Sequence, residues 1–291
     1  MSIAAIDDIL AYLNRHEFHG EADGGDHPLH TGGDRVQARY ADFHLGSLFQ
    51  PIVDLDQEQP AAYEALLSVN TAAGPAALGS ALSPEAIFHR TADVAGITYI
   101  DRLARTLHAL NFLVQHLRGA LHLNVHPHHL LAVDADHGRV FEGILRQCGL
   151  APEQIVLEVA EHAIRDKQRL RHAIAGWQER GYRIAIDNFG RGHTQLARVL
   201  NLAPDIVKLD RRLLLAAELH PRQRQTLAEL SIRAGVRDIQ VIATGIETRA
   251  QLAMVRELRI GLGQGFLLGV PAADASAAAP ARQRRVIAFA G

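Results

Sequence analysis

The sequence predicts an α/β fold, a (β/α)8 barrel of TIM type whose first strand runs antiparallel, and three observations carry that reading. Short β-rich runs recur at 48–54, 62–69, 121–125, 155–160, 183–188, 205–209, 239–244 and 263–268. Helical stretches separate most of them, at 84–118, 138–148, 166–180, 194–200, 211–234 and 248–258, and such alternation marks a mainly parallel sheet. The first two runs are joined only by LDQEQPA, which is too short for a parallel crossover and therefore predicts a hairpin.

A chain of 291 residues accommodates a barrel of about 250 residues with an appendage. Residues 46–272 are assigned to the barrel. Ahead of it, Ile3, Ile6, Ile9, Leu10 and Leu13 recur at helical spacing. The following HGEADGGDHPLHTGGDR, with His19, His27 and His30, has the Gly and Asp content of a solvated linker. These make up an N-terminal region of residues 1–45, and residues 273–291 read as an Ala-rich tail.

Apolar residues form 48% of the chain, which supports a substantial core and excludes wholesale disorder. A formal net charge of -2, with arginines scattered through the helices, gives no reason to expect a nucleic-acid polymer as partner. Cys148 is the sole cysteine, so an internal disulfide and a Cys-based zinc site are excluded. Its place at the end of the helical run FEGILRQCGL predicts a core residue. No run approaches the ~20 apolar residues of a membrane span. MSIAAIDDIL carries acidic residues where a signal peptide needs positive charge, so a cytoplasmic protein is expected.

Buried barrel strands should be apolar, yet several finish on polar groups. Glu64 sits in AYEALL, Asn124 in LHLNV, and Glu158 and Glu161 in IVLEVAEH. Asp187 and Asn188 end RIAIDN, Lys208 lies in DIVKLD, and Glu247 follows VIATGI. The C-terminal ends of barrel strands converge on one mouth, where TIM-type sites are built. Four oxygen ligands there, from Glu64, Asn124, Glu158 and Asp187, would suit a hard cation such as Mg²⁺, Mn²⁺ or Ca²⁺.

At these residues the chain resembles the EAL domain family of cyclic di-GMP phosphodiesterases. FQPIVDL and YEALL are similar to its QPI and E-A-L signatures, followed in order by LNVHP, LEVAE, IDNFGRGH, IVKLD, ATGIE and GQGFLLGVP. The resemblance covers roughly residues 47–271. It implies a barrel with an antiparallel first strand and hydrolysis of cyclic di-GMP to pGpG by two divalent metals. Such metals, ~3.5–4 Å apart, clamp the phosphodiester and activate water. By this resemblance Glu64, Asn124, Glu158 and Asp187 match the first metal's ligands. Lys208 matches the lysine that orients or deprotonates the water, and beside two cations its pKa would fall. Glu161 matches a loop-bracing glutamate, Gln264 the glutamine near the water, and Glu247 the second glutamate of E-G-V-E. Gln50, Glu64, Leu66, Asn124 and Asp210 fall at nucleotide-binding positions. The family also implies a homodimer through helices beside the metal-site loop.

Three positions depart from the pattern. Asn188 stands for the second aspartate of the Asp-Asp pair, Thr244 for the first glutamate of E-G-V-E, and Ser68 for the arginine after E-A-L-L that contacts a substrate phosphate. Asn188 and Thr244 together remove two carboxylates from the second metal site, leaving one divalent cation at the first and the second empty. Ser68 removes a bidentate phosphate contact; Arg191, in NFGRGH, reads as a solvated loop charge. The expected function is a degenerate regulator in cyclic di-GMP signalling, binding the nucleotide weakly or a regulatory protein instead. The alternative is a working or slow phosphodiesterase.

Overall fold

The computed structural model describes residues 3–18, 27–71, 87–88, 94–126, 136–160, 166–190 and 196–278. Helix α1 (Ile3–His16) leads into strands β1 (Leu29–Gly32), β2 (Arg35–Tyr40), β3 (Phe43–Asp54) and β4 (Gln59–Thr71). Then follow α2 (Val94–Val114), β5 (Ala120–Asn124), α3 (Asp136–Cys148), β6 (Ile155–Ala160), α4 (Lys167–Gln178) and β7 (Arg183–Phe189). The chain continues through α5 (Leu196–Leu200), β8 (Ile206–Leu209), α6 (Arg211–Leu219), α7 (Pro221–Gly235), β9 (Gln240–Ala243), α8 (Arg249–Glu257) and β10 (Leu262–Gly263).

Strands β4 to β10 pair in parallel from neighbour to neighbour, and β3 closes the circle antiparallel to both β4 and β10. The predicted barrel with its reversed first strand is therefore the observed one. The short connection turns where Asp54 accepts from the backbone N–H groups of Asp56 and Gln57, both at 2.9 Å. On β3, burial alternates up to Leu48, then becomes continuous from Phe49 to Val53. That switch is the strand passing from a one-faced sheet into a barrel wall covered on both faces.

Below the mouth the barrel is filled by an apolar layer of Ile52, Ala62, Ala120, Val156, Ala185, Ile206 and Ile242. The larger core lies between strands and surrounding helices, with Trp177, Tyr182, Phe141 and Phe112 among its buried side chains. Cys148 is buried as expected, and burial pushes its thiol up to about 12. No described helix is long and apolar enough to cross a membrane.

Three sequence expectations need correction. Leu29–Gly32 and Arg35–Tyr40, within the stretch read as linker and N-terminal region, form a hairpin that extends β3. Its turn uses Gly33 at φ 68, the conformation for which glycine is suited. Two asparagines clamp it: Asn14 exchanges two hydrogen bonds with the Leu29 backbone, and Asn111 does so with Val36. With α1 and α2 it encloses a second core around Leu13, Phe18, Val36, Leu45, Leu103 and Leu107. The helix expected over 211–234 is two helices, because Pro221 supplies no N–H and holds His220 extended at φ -130. The strand expected over 263–268 ends at Gly263, and the chain turns at Gly265, where an added Cβ would lie 2.2 Å from the Ile246 backbone.

Candidate active site at the barrel mouth

Five neighbouring strands deliver the site. Glu64 projects from β4, Asn124 ends β5, Glu158 lies on β6, Asp187 on β7 and Lys208 on β8. Registry brings them level, with Gln50 opposite Glu64 and Asn124 opposite Glu158. Lys208 is at the centre. Its Nζ donates to Glu64 Oε2 at 2.9 Å and to Glu158 Oε1 and Oε2 at 2.7 Å each. Asp187 Oδ1 stands 3.8 Å away. Gln264 donates to Glu64 Oε2 at 2.6 Å and to Gln50 Oε1 at 3.1 Å, and Gln50 donates to the Gly269 carbonyl at 3.0 Å. The Asn124 amide reaches Glu64 Oε1 at 3.4 Å.

Burial and charge pull these groups in different directions. Burial alone would raise Glu64, but Lys208 and the Gln264 bond outweigh it and bring it down to about 2. Burial and the Glu64 charge push Glu158 up to about 8 against the pull of Lys208. Burial likewise holds Asp187 up to about 6. Burial disfavours the Lys208 ammonium, yet Glu158, Glu64 and Asp187 together raise it above the usual lysine range.

The three departures occupy distinct places. Asn188, at φ 57, donates its amide N–H to Asp187 Oδ2. Thr244 donates its hydroxyl to the Leu209 carbonyl at 2.6 Å. Both line a mouth cavity of about 290 Å³ with Glu64, Asp187 and Lys208. Ser68 lies further along β4, opposite Gly46.

Of the remaining predicted residues, Glu247 stands on the rim, 3.3 Å from the Arg211 guanidinium. Asp210 lines the same cavity and caps α6, accepting from Arg212 N at 2.8 Å. Leu66 and Asn124 line a neighbouring cavity of about 400 Å³ that shares Glu64 with the mouth cavity. Glu161 and Arg191 lie outside the described residues. Sequence reasoning missed Arg211 and His122. His122 Nδ1 lies 2.7 Å from Glu158 Oε1. Its signal was parity: in ALHLN it shares the inward face with Asn124.

Three carboxylates and an amide are the donor chemistry a hard cation takes, so the first-site residues fit one. Among the described residues, however, no three His, Cys, Asp or Glu side chains stand in a ready metal-holding group. The carboxylates close on the Lys208 ammonium, and a cation there would take contacts that the ammonium now holds.

The EAL domain family model matches residues 35–271 of this chain. The chain belongs to the EAL domain family. Among its relatives is the probable cyclic di-GMP phosphodiesterase PdeB of Escherichia coli K12, 26% identical over 242 residues, 82% of this chain and 44% of that protein. The probable cyclic di-GMP phosphodiesterase PdeA of the same organism is 27% identical over 135 residues, 46% of this chain and 18% of that protein. The matches thus span less than half the length of either relative. The solved Klebsiella pneumoniae BlrP1 complex with manganese and cyclic di-GMP at pH 9.0 superposes with a TM-score of 0.69 at 24% identity. That match covers 78% of this chain and 56% of the other, and shows the EAL barrel fold.

Proposed function

We propose that this EAL barrel acts in cyclic di-GMP signalling as a non-catalytic regulator. The observation that carries the reading is the Asn188 bond to Asp187. An ionised carboxylate only accepts, so the Asn188 amide must turn its NH₂ toward it. Where the family pattern has a second aspartate, this chain presents a donor to Asp187, the neighbouring carboxylate that would help hold the first metal. Thr244 adds to this, its proton directed to the Leu209 carbonyl.

On this reading the mouth holds one divalent cation, Mg²⁺, Mn²⁺ or Ca²⁺, through Glu64, Asn124, Glu158 and Asp187, and the second site stays empty. A pair of such ions, when bound, would clamp the phosphodiester and activate water. Losing one electrostatic contribution of this kind costs about 3–4 kcal/mol, or roughly 10²–10³ in rate. Lys208, Gln264, Glu247 and Glu161 are then vestiges of catalysis, and Gln50, Glu64, Leu66, Asn124 and Asp210 form the nucleotide-facing surface. Ser68 weakens the phosphate contact, so cyclic di-GMP is bound weakly or replaced by a regulatory protein partner. A homodimer through helices beside the metal-site loop belongs to the same reading.

A slow phosphodiesterase is the second reading, favoured by the assembled set of Glu64, Glu158, Asp187 and Lys208. Incubation of the purified chain with cyclic di-GMP and Mn²⁺, followed by chromatography for pGpG, separates the two. No product above the protein-free control is expected; turnover comparable to an active family member overturns the regulator. Calorimetry with cyclic di-GMP then divides the regulators: micromolar binding marks a nucleotide sensor, and no heat a protein-only adaptor.

A further inference from the structure

His122 is buried in the floor of the mouth, and the function proposed above gives it no role. Strand parity turns Ala120, His122 and Asn124 inward. Ala120 joins the apolar layer below and Asn124 reaches Glu64 above, so His122 sits where the apolar filling gives way to charge. Its Nδ1 lies 2.7 Å from Glu158 Oε1, and Lys208 Nζ lies 2.7 Å from both Glu158 oxygens. With both its oxygens accepting from the Lys208 ammonium, Glu158 is held as a carboxylate against the burial that raises it, so the proton of this contact belongs to Nδ1.

The two donors act differently. A lysine ammonium is a point charge on a flexible stem and restrains the rotation of a carboxylate poorly. An imidazole on a barrel strand gives one N–H a fixed direction. We propose that His122 is a positioning residue: by donating Nδ1–H to Glu158 it fixes the carboxylate that holds Lys208 and contributes to the cation site. The cation half of this inference rests on the one-cation reading above; the tautomer half does not. Donors behind metal ligands are typically worth about 10–100-fold in metal affinity.

Two measurements on the full chain test it. Nitrogen-15 NMR of histidine-labelled protein at pH 7, with the His122 signals assigned by their loss in His122→Asn, should show a proton on Nδ1. A proton on Nε2 alone overturns the proposal. Manganese calorimetry then compares His122→Asn, which keeps a donor near Nδ1 but loses volume, with His122→Leu, which fills the space without a donor. His122→Leu should weaken Mn²⁺ binding about 10–100-fold while His122→Asn stays close to the parent. The reverse order makes His122 a space-filler and overturns the proposal. If the parent chain takes up no Mn²⁺, the one-cation reading fails, and the tautomer alone decides His122.

Discussion

Lys208 bonds both oxygens of Glu158 at 2.7 Å, and the two side chains are buried together in the barrel. Glu64 shares the same ammonium at 2.9 Å. Two neighbouring buried carboxylates therefore depend on one cation for charge balance, because unpaired charge in the interior is costly. Lys208→Met should destabilise the chain by about 3–5 kcal/mol in urea denaturation at pH 7. Millimolar Mn²⁺ should recover part of that loss. An unchanged midpoint would contradict the account of Lys208.

The lobe beside the barrel contains a second buried network. Asn111 donates to Ser47 Oγ at 3.2 Å, and Ser47 Oγ lies 2.8 Å from His108 Nδ1. Burial brings His108 down to about 3. The unfolded chain then binds the proton that the folded chain refuses, so stability is full above the ordinary histidine value and lost as pH falls toward 3. The expected slope is about 1.4 kcal/mol per pH unit between roughly 6.5 and 3 for this one group. Urea denaturation at pH 7 and pH 5 should show a smaller difference for His108→Gln than for the parent chain. Equal differences would remove His108 from the acid response.

Asn111 also clamps the hairpin through Val36, with bonds of 3.0 and 2.8 Å. Asn111→Ala leaves a buried backbone N–H and C=O without this partner. A cost of about 1–3 kcal/mol is expected for such unsatisfied groups. Hydrogen exchange should quicken at Val36 and its neighbours before the barrel strands respond. Uniform loosening of lobe and barrel would count against a locally clamped hairpin.

Gly245 supports the rim. It adopts φ 74, and a Cβ there would lie 2.3 Å from Arg211 Cβ. Gly245→Ala should cost at least about 1 kcal/mol from the left-handed backbone alone and displace Arg211 from Glu247. Thermal unfolding and a crystal structure of the variant would check both.

The barrel was legible because its determinants are local. Each strand is a short apolar run, and the link LDQEQPA between the first two runs is too short for anything but a hairpin; in the structure only four residues, 55–58, separate β3 from β4. The mouth carboxylates were legible because they interrupt those runs. Other features depend on contacts between distant parts of the chain. The β1–β2 hairpin looks like linker until Asn111, 75 residues beyond Val36, supplies the backbone partner. The raised Lys208 follows from carboxylates as far as 144 residues away in sequence. The early end of β10 follows from the Ile246 backbone lying against Gly265. His122 was readable from strand parity, but only Glu158 gives that position its chemical meaning.

On the function proposed above, Asn188 and Thr244 together disable the second metal position. The most direct test is the double substitution Asn188→Asp and Thr244→Glu, assayed for pGpG from cyclic di-GMP with Mn²⁺ beside the parent chain. The parent should be silent, and the double variant should gain roughly 10²-fold or more over that background, the scale of one such electrostatic contribution. A parent that already turns over, with a rate the double substitution scarcely changes, would contradict it.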